Sequence, residues 1–155
     1  MAIRTIITDR DPILRKKSRE VTNFDKRLHE LLDDLSDTMY SANGVGLAAP
    51  QVSVLRRVAV VDTGDGLIEM VNPKIVYESA ETIEDSEGCL SSPGEYAIIK
   101  RAKKVVVQYK DRDGNPRESI GEALLARAIR HECDHLDGII FKDYADTILR
   151  DEDEQ

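Results

Sequence analysis

The chain has 155 residues, 41% of them hydrophobic, which is enough for one domain with a real core. A formal net charge of −8 with no basic run excludes a general nucleic-acid surface. No signal-peptide-like start and no apolar run of membrane-spanning length occurs, and two cysteines are too few for a disulfide framework, so a cytoplasmic protein is expected.

In chain order, Asp11-Pro12-Ile13-Leu14 reads as a turn leading into a short extended arm. Thr22 followed by Asp25 has the form of a capping box, and Leu28, Leu31, Leu32, Leu35 and Met39 then recur at helical spacing. This predicts a surface helix over residues 25–41, packed by one face. His29 falls outside the stripe and reads as solvent-facing rather than as a ligand. The stretch from Asn43 to Gln51 breaks the helix, and Gly44 and Gly46 permit close approach to the main chain. A glutamine beside a cleft can donate to a developing oxyanion, which makes Gln51 a candidate.

From Arg57 to Ile120 the pattern is β. Val58–Val61 is a compact apolar strand, Asp65-Gly66 a turn before Leu67–Val71, and Asn72-Pro73 a break before Lys74–Tyr77. Val105, Val107 and Tyr109 alternate with Val106, Gln108 and Lys110, and Asp113-Gly114-Asn115-Pro116 closes a hairpin. Short strands joined by turns without intervening helices imply antiparallel pairing. Within this region lies Glu87-Gly88-Cys89-Leu90-Ser91, with a thiol that can serve as a metal ligand or fill a small buried space.

Good helix formers without Gly or Pro run from Glu122 to Leu136, and Gly138 is a natural stop. This helix carries His131-Glu132-Cys133-Asp134-His135. Histidines four apart lie one turn apart on one face and can reach the same ion, with Glu132 between them as a proton acceptor. Leu124, Ala128, His131 and His135 continue one stripe, with Leu125, Ile129 and Leu136 beside it, so the helix is expected to be buried with sheets around it. The fold class expected is α+β: antiparallel sheets packed around a central metal-motif helix, with an N-terminal surface helix, as a single domain over 1–155.

Two histidines leave a catalytic site one protein ligand short. Downstream, Phe141 stands where a third histidine would follow in metzincin-type proteases, and only Asp143, Asp146 and the acidic Asp151–Glu154 tail offer carboxylates. That tail is most simply a solvated, frayed end. Upstream, Cys89 is the remaining good candidate. A Cys89–Cys133 disulfide is the bland alternative.

Taken together, Gly44 to Gln51, Glu87-Gly88-Cys89-Leu90-Ser91 and His131 to His135 resemble the three signature motifs of peptide deformylases, in order and spacing. The resemblance extends over nearly the whole chain, including Asp11 to Arg15 and Leu136-Asp137-Gly138 through Asp143. It implies Cys89, His131 and His135 as metal ligands and Glu132 as the acid/base. Gln51 and the Leu90 N–H are implied as oxyanion donors. The main chain at Val45, Gly46 and Gly88 would pair with the peptide, and Val45, Leu124 and Ala128 would line a methionine pocket. The implied cofactor is one divalent ion, Fe2+ in vivo, with Zn2+, Ni2+ or Co2+ as substitutes. Implied partners are N-formylmethionyl nascent peptides, with transient ribosome contact but no direct nucleic-acid or membrane binding.

Departures from the family pattern are Arg130 before the first histidine, Ser92 in place of an apolar residue, and Arg127 and Ala128 near the pocket. They put the pocket's shape and preference in question. A long C-terminal ribosome-docking helix would be cut short. We also expect Glu87 to pair with Arg101 and brace the loop holding Cys89. Rival readings are a peptidase cutting internal bonds, a degenerate binder, and a closed structural metal site. The missing downstream histidine, the intact Glu132 and Gln51, and the lack of a fourth placed Cys or His argue against each in turn.

Overall fold

The computed structural model describes residues 2–151. Its order is α1 (Lys26–Ser41), β1 (Gly46–Ala48), β2 (Val58–Val61), β3 (Ile68–Glu78), β4 (Thr82–Gly88), β5 (Glu95–Ala102), β6 (Lys104–Lys110), β7 (Pro116–Glu122), α2 (Leu124–Leu136) and β8 (Leu149–Arg150). The strands form a five-stranded sheet in the order β1-β2-β3-β6-β7 and a three-stranded sheet β4-β5-β8, all neighbours antiparallel.

The apolar stripe of α1 decides its packing. Leu28, Leu31, Leu32, Leu35 and Met39 are buried against Leu47, Val58, Val60 and Val71. The alternate residues Ala48, Ala59, Val61 and Met70 point through the sheet to Ala126, Ala128, Ile129 and Cys133 of α2. Strand periodicity of two sends successive side chains to opposite faces, so a strand covered on both faces must be apolar at every position. That is why Val58-Ala59-Val60-Val61 reads as one uninterrupted run. Ten of the thirteen residues of α2 are buried.

Several local expectations need correction. Helix α1 begins at Lys26, and its N-cap is Asp25 itself, whose Oδ1 accepts from the Leu28 N–H at 3.0 Å; the Thr22-led capping box does not form. Helix α2 starts at Leu124 rather than Glu122, because Glu122 still pairs with Lys104 and Ala123 takes φ 53°. Asn72-Pro73 does not end a strand. β3 runs through it with a register shift between Val71 and Lys74, Asn72 adopting φ 52°. Pro12–Arg15 is a 3-10 turn capped by Asp11 rather than an extended arm. His29 is half-buried, its Nε2 2.8 Å from the Arg112 carbonyl, so it is not solvent-facing as expected. Asp151 of the acidic tail is held by its N–H to the Gly94 carbonyl at 3.0 Å, whereas Glu152, Asp153 and Glu154 lie outside the described residues.

The second sheet carries the Cys89 loop. β4 and β5 pair from Thr82–Ala102 to Gly88–Tyr96, so Gly88 delivers Cys89 at the sheet's end. Under this sheet Leu14, Ala97, Ile99, Ile140 and Phe141 form a third apolar cluster. Gly138, at φ 76°, turns the chain out of α2, and a Cβ there would strike the Arg15 carbonyl carbon at 2.7 Å.

Candidate metal centre and cleft

Cys89 at the end of β4 meets the inner face of α2. The ligand atoms of Cys89, His131 and His135 lie within 4.8 Å of one another, and this is the one such His/Cys/Asp/Glu group among the described residues. Cys89 Sγ is 3.2 Å from His135 Nε2. Asp143 is instead engaged by Arg15, at 2.6 and 3.0 Å. Both cysteines are free thiols, and burial pushes the Cys133 thiol up to about 12, leaving it inert.

Glu87 fixes the orientation of His131. Glu87 Oε2 lies 2.7 Å from His131 Nδ1. Burial tends to raise the Glu87 pKa, but hydrogen bonds from Arg101 and His131 outweigh it and bring it to about 2. An ionised carboxylate only accepts, so Nδ1 carries the hydrogen and the other nitrogen is left for an ion. His135 is held well below its ordinary pKa, by burial first and then by His131, which keeps its imidazole neutral. For His131, burial favours the neutral ring, but Glu132, Cys89 and Glu87 raise its pKa well above normal, so a proton and a cation compete there.

The donor set fits a single divalent ion. Two imidazoles and a thiolate suit zinc or ferrous iron, and three protein ligands leave a coordination position open. Glu132 lies beside the set, buried, with Oε1 lacking a hydrogen-bond partner. Burial pushes its carboxyl up to about 7; His131 pulls the other way. That value suits a group that takes up and returns a proton near neutrality. Gly46 makes the room: a Cβ there would overlap the Glu132 carboxylate.

A cleft of about 470 Å³ opens over these groups. Every site residue expected from the sequence except the deeply buried His135 lines it. Val45 is 44% and Leu124 52% exposed on its walls, while Ala128 is buried beneath them, so an apolar side chain has a surface to cover. Gln51 is oriented from both ends. Its Oε1 accepts from the Ala48 N–H at 3.0 Å, and its Nε2 donates to Ser91 Oγ at 3.0 Å and reaches Cys89 Sγ at 3.5 Å.

The expected Glu87–Arg101 pair is present, with Arg101 Nε and Nη2 donating at 2.9 and 2.6 Å. Sequence reasoning missed that Arg127 and Asp134 join it. Arg127 Nη1 donates to Glu87 Oε1 at 2.9 Å, and Arg101 Nη1 to Asp134 Oδ2 at 2.9 Å. The available signal was spacing: Arg127 stands one helical turn before His131, and Asp134 follows the motif glutamate by two. Ser92, another of the departures, donates to Asp9 Oδ2 at 2.7 Å and ties the Cys89 loop to the N-terminal segment.

An α+β fold that sets a cysteine sulfur and two imidazoles beside a buried carboxylate with one unpartnered oxygen, on a cleft, has the parts for hydrolysis at one metal ion. The family model described as polypeptide deformylase matches residues 3–151. A peptide deformylase of Caldanaerobacter subterraneus subsp. tengcongensis is 53% identical over 92% of this chain and 89% of its own length. One of Acetivibrio thermocellus is 54% identical over 99% of this chain and 89% of its own. The crystal structure of peptide deformylase from Thermotoga maritima superposes with a TM-score of 0.92 at 38% identity, covering 95% of this chain and 100% of that one. The chain belongs to the polypeptide deformylase family.

Proposed function

We propose that Cys89, His131 and His135 hold the metal ion with which this enzyme removes the N-formyl group from the formyl-methionine of newly made polypeptides, releasing formate. Family membership carries the reaction. The residue assignment rests on one observation: the ligand atoms of these three residues converge to within 4.8 Å of one another.

When bound, a divalent ion supplies Lewis acidity, polarising the formyl oxygen and acidifying water. Glu132 takes a proton on its carboxylate as water attacks the formyl carbon, and returns it to the departing amine. Gln51 Nε2 and the Leu90 N–H donate to the oxygen that becomes negative. The main chain of Val45, Gly46 and Gly88 pairs with the peptide as an added strand, while Val45, Leu124 and Ala128 take the methionine side chain. Cys89 contributes a thiolate that lowers the net charge of the centre. His135, neutral and buried, does not compete for the transferred proton.

The finer reading is that the ion is Fe2+ in the cell, with Zn2+, Ni2+ or Co2+ able to replace it. Residues 1–155 act as one cytoplasmic catalytic domain, with α2 as its central helix. The partners are formylated nascent chains met in transient contact with the ribosome, without direct nucleic-acid or membrane binding. No helix among the described residues is long and apolar enough to cross a membrane.

The test is formate release from a formyl-Met tripeptide by protein loaded anaerobically with iron, nickel or zinc, beside Glu132→Ala. Turnover in the parent, reduced at least a hundredfold in the variant at equal metal content, is the expected result. Full metal occupancy with no formate from any form would overturn it.

A further inference from the structure

Glu87 is a crowded carboxylate. Besides the His131 ring, two guanidinium groups donate to it, from Arg101 and Arg127, and all four side chains are at least nine-tenths buried. Arg101 comes from β5, the strand paired with β4, where it stands opposite Ile83. Arg127 comes from α2, the helix that carries His131. It is also fixed on its far side, with Nη2 donating to the Ile83 carbonyl at 2.9 Å. Arg127 therefore bridges the first half of β4 and the Glu87 carboxylate near its end, and it lines the cleft.

We propose that Arg127 is a positioning residue for the metal ligand His131, acting through Glu87. The inference rests on the metal-ligand reading above. The terminal torsion of a glutamate is broad, and Arg101 grips both Glu87 oxygens from β5, Nε on Oε1 and Nη2 on Oε2. With Arg127 on Oε1 and His131 on Oε2, a rotation that satisfies one breaks the other. The position of Oε2, and hence the direction in which the His131 ring presents its other nitrogen, is set from two elements at once. Such outer partners orient ligands and typically change metal affinity or activity about 10–100-fold when removed.

Arg130 on the same helix supplies the contrast. Its guanidinium is one-third exposed and reaches Asp134 and Glu78 only at 3.5 and 3.4 Å, and it does not touch Glu87. It carries charge near the site without holding a ligand.

The experiment follows transfer of zinc from the loaded full-length protein to a chromophoric chelator, and the visible absorption of the cobalt-loaded form, for the parent, Arg127→Gln, Arg127→Lys and Arg130→Gln. Arg127→Gln is expected to weaken zinc retention roughly 10–100-fold and to move the cobalt bands. Arg127→Lys keeps a charge but cannot serve both Glu87 and the Ile83 carbonyl, so it falls between. Arg130→Gln stays within about twofold of the parent. Parent-like zinc retention and cobalt bands in a folded Arg127→Gln, whatever its melting temperature, would reduce Arg127 to a structural ion pair and overturn the proposal. Should Arg127→Gln not fold, Arg127→Lys is read by the same two criteria. A parent that takes up neither metal would overturn the ligand assignment itself, an outcome distinct from equal retention by parent and variant.

Discussion

Glu87 and His131, 44 residues apart in the chain, meet at 2.7 Å through Oε2 and Nδ1, and this contact joins the two halves of the candidate metal site. One half is a strand end bearing Cys89; the other is the buried face of α2. The guanidinium of Arg101 stabilises the contact by pairing with both Glu87 and Asp134.

Replacing Arg101 with alanine leaves two buried carboxylates short of a partner. Breaking a buried pair from one side costs about 3–5 kcal/mol. The expected result is a melting temperature lower by roughly 10 °C, with reduced metal content after dialysis. Calorimetry with metal analysis checks both, and no change in either would remove Arg101 from the bracing role.

Gly46→Ala tests the space around Glu132. The added methyl would land on the carboxylate, which must turn away. Because general acid–base catalysis contributes about 10²–10⁴-fold, kcat should fall by at least two orders of magnitude. Zinc content should stay at the parent level, since no ligand atom is displaced. Steady-state kinetics beside metal analysis distinguishes this from general damage.

Gln51→Ala removes one proposed oxyanion donor. The loss expected is about 10²–10³ in kcat with little change in KM, since the developing charge is present only in the transition state. A fall in kcat/KM carried by KM alone would assign Gln51 to ground-state binding.

Asp34 predicts part of the acid sensitivity of the fold. Burial works to raise its pKa, but the Arg4 guanidinium at 2.8 Å and the Ala2 N–H at 2.7 Å outweigh it, and the folded carboxyl lies below its ordinary value. A group depressed in the folded state stabilises above its unfolded pKa, and that contribution fades as pH falls through the folded value. Asp34→Asn should therefore melt below the parent at pH 6–7 and converge on it as pH falls below the ordinary carboxylate range. Thermal melts across that range measure the convergence.

The particular residues show how far the chain alone could lead. The stripe from Leu28 to Met39 fixed α1 to within a residue, because helical periodicity is a local property. The continuity of Val58–Val61 was equally legible, although its reason, burial on both sheet faces, was not. Boundaries failed where pairing overrode propensity. Glu122 is a good helix former that stays in β7 because Lys104 is opposite it, and Asn72-Pro73 is absorbed as an irregularity because β6 holds both flanks.

For the site, the sequence by itself determined the inventory: two histidines one helical turn apart, a glutamate between them, and a thiol and an amide in glycine-bearing segments. Residue type and local spacing are sufficient for that. Only the tertiary structure decided that Cys89, rather than Asp143 or Asp146, comes within ligand distance, and that Glu132 Oε1 is left unpartnered. It also showed that Arg127, Arg101 and His131 share one carboxylate. Those facts depend on where β4 ends relative to the face of α2, a distance set by sheet register and helix packing and encoded in no single stretch of chain.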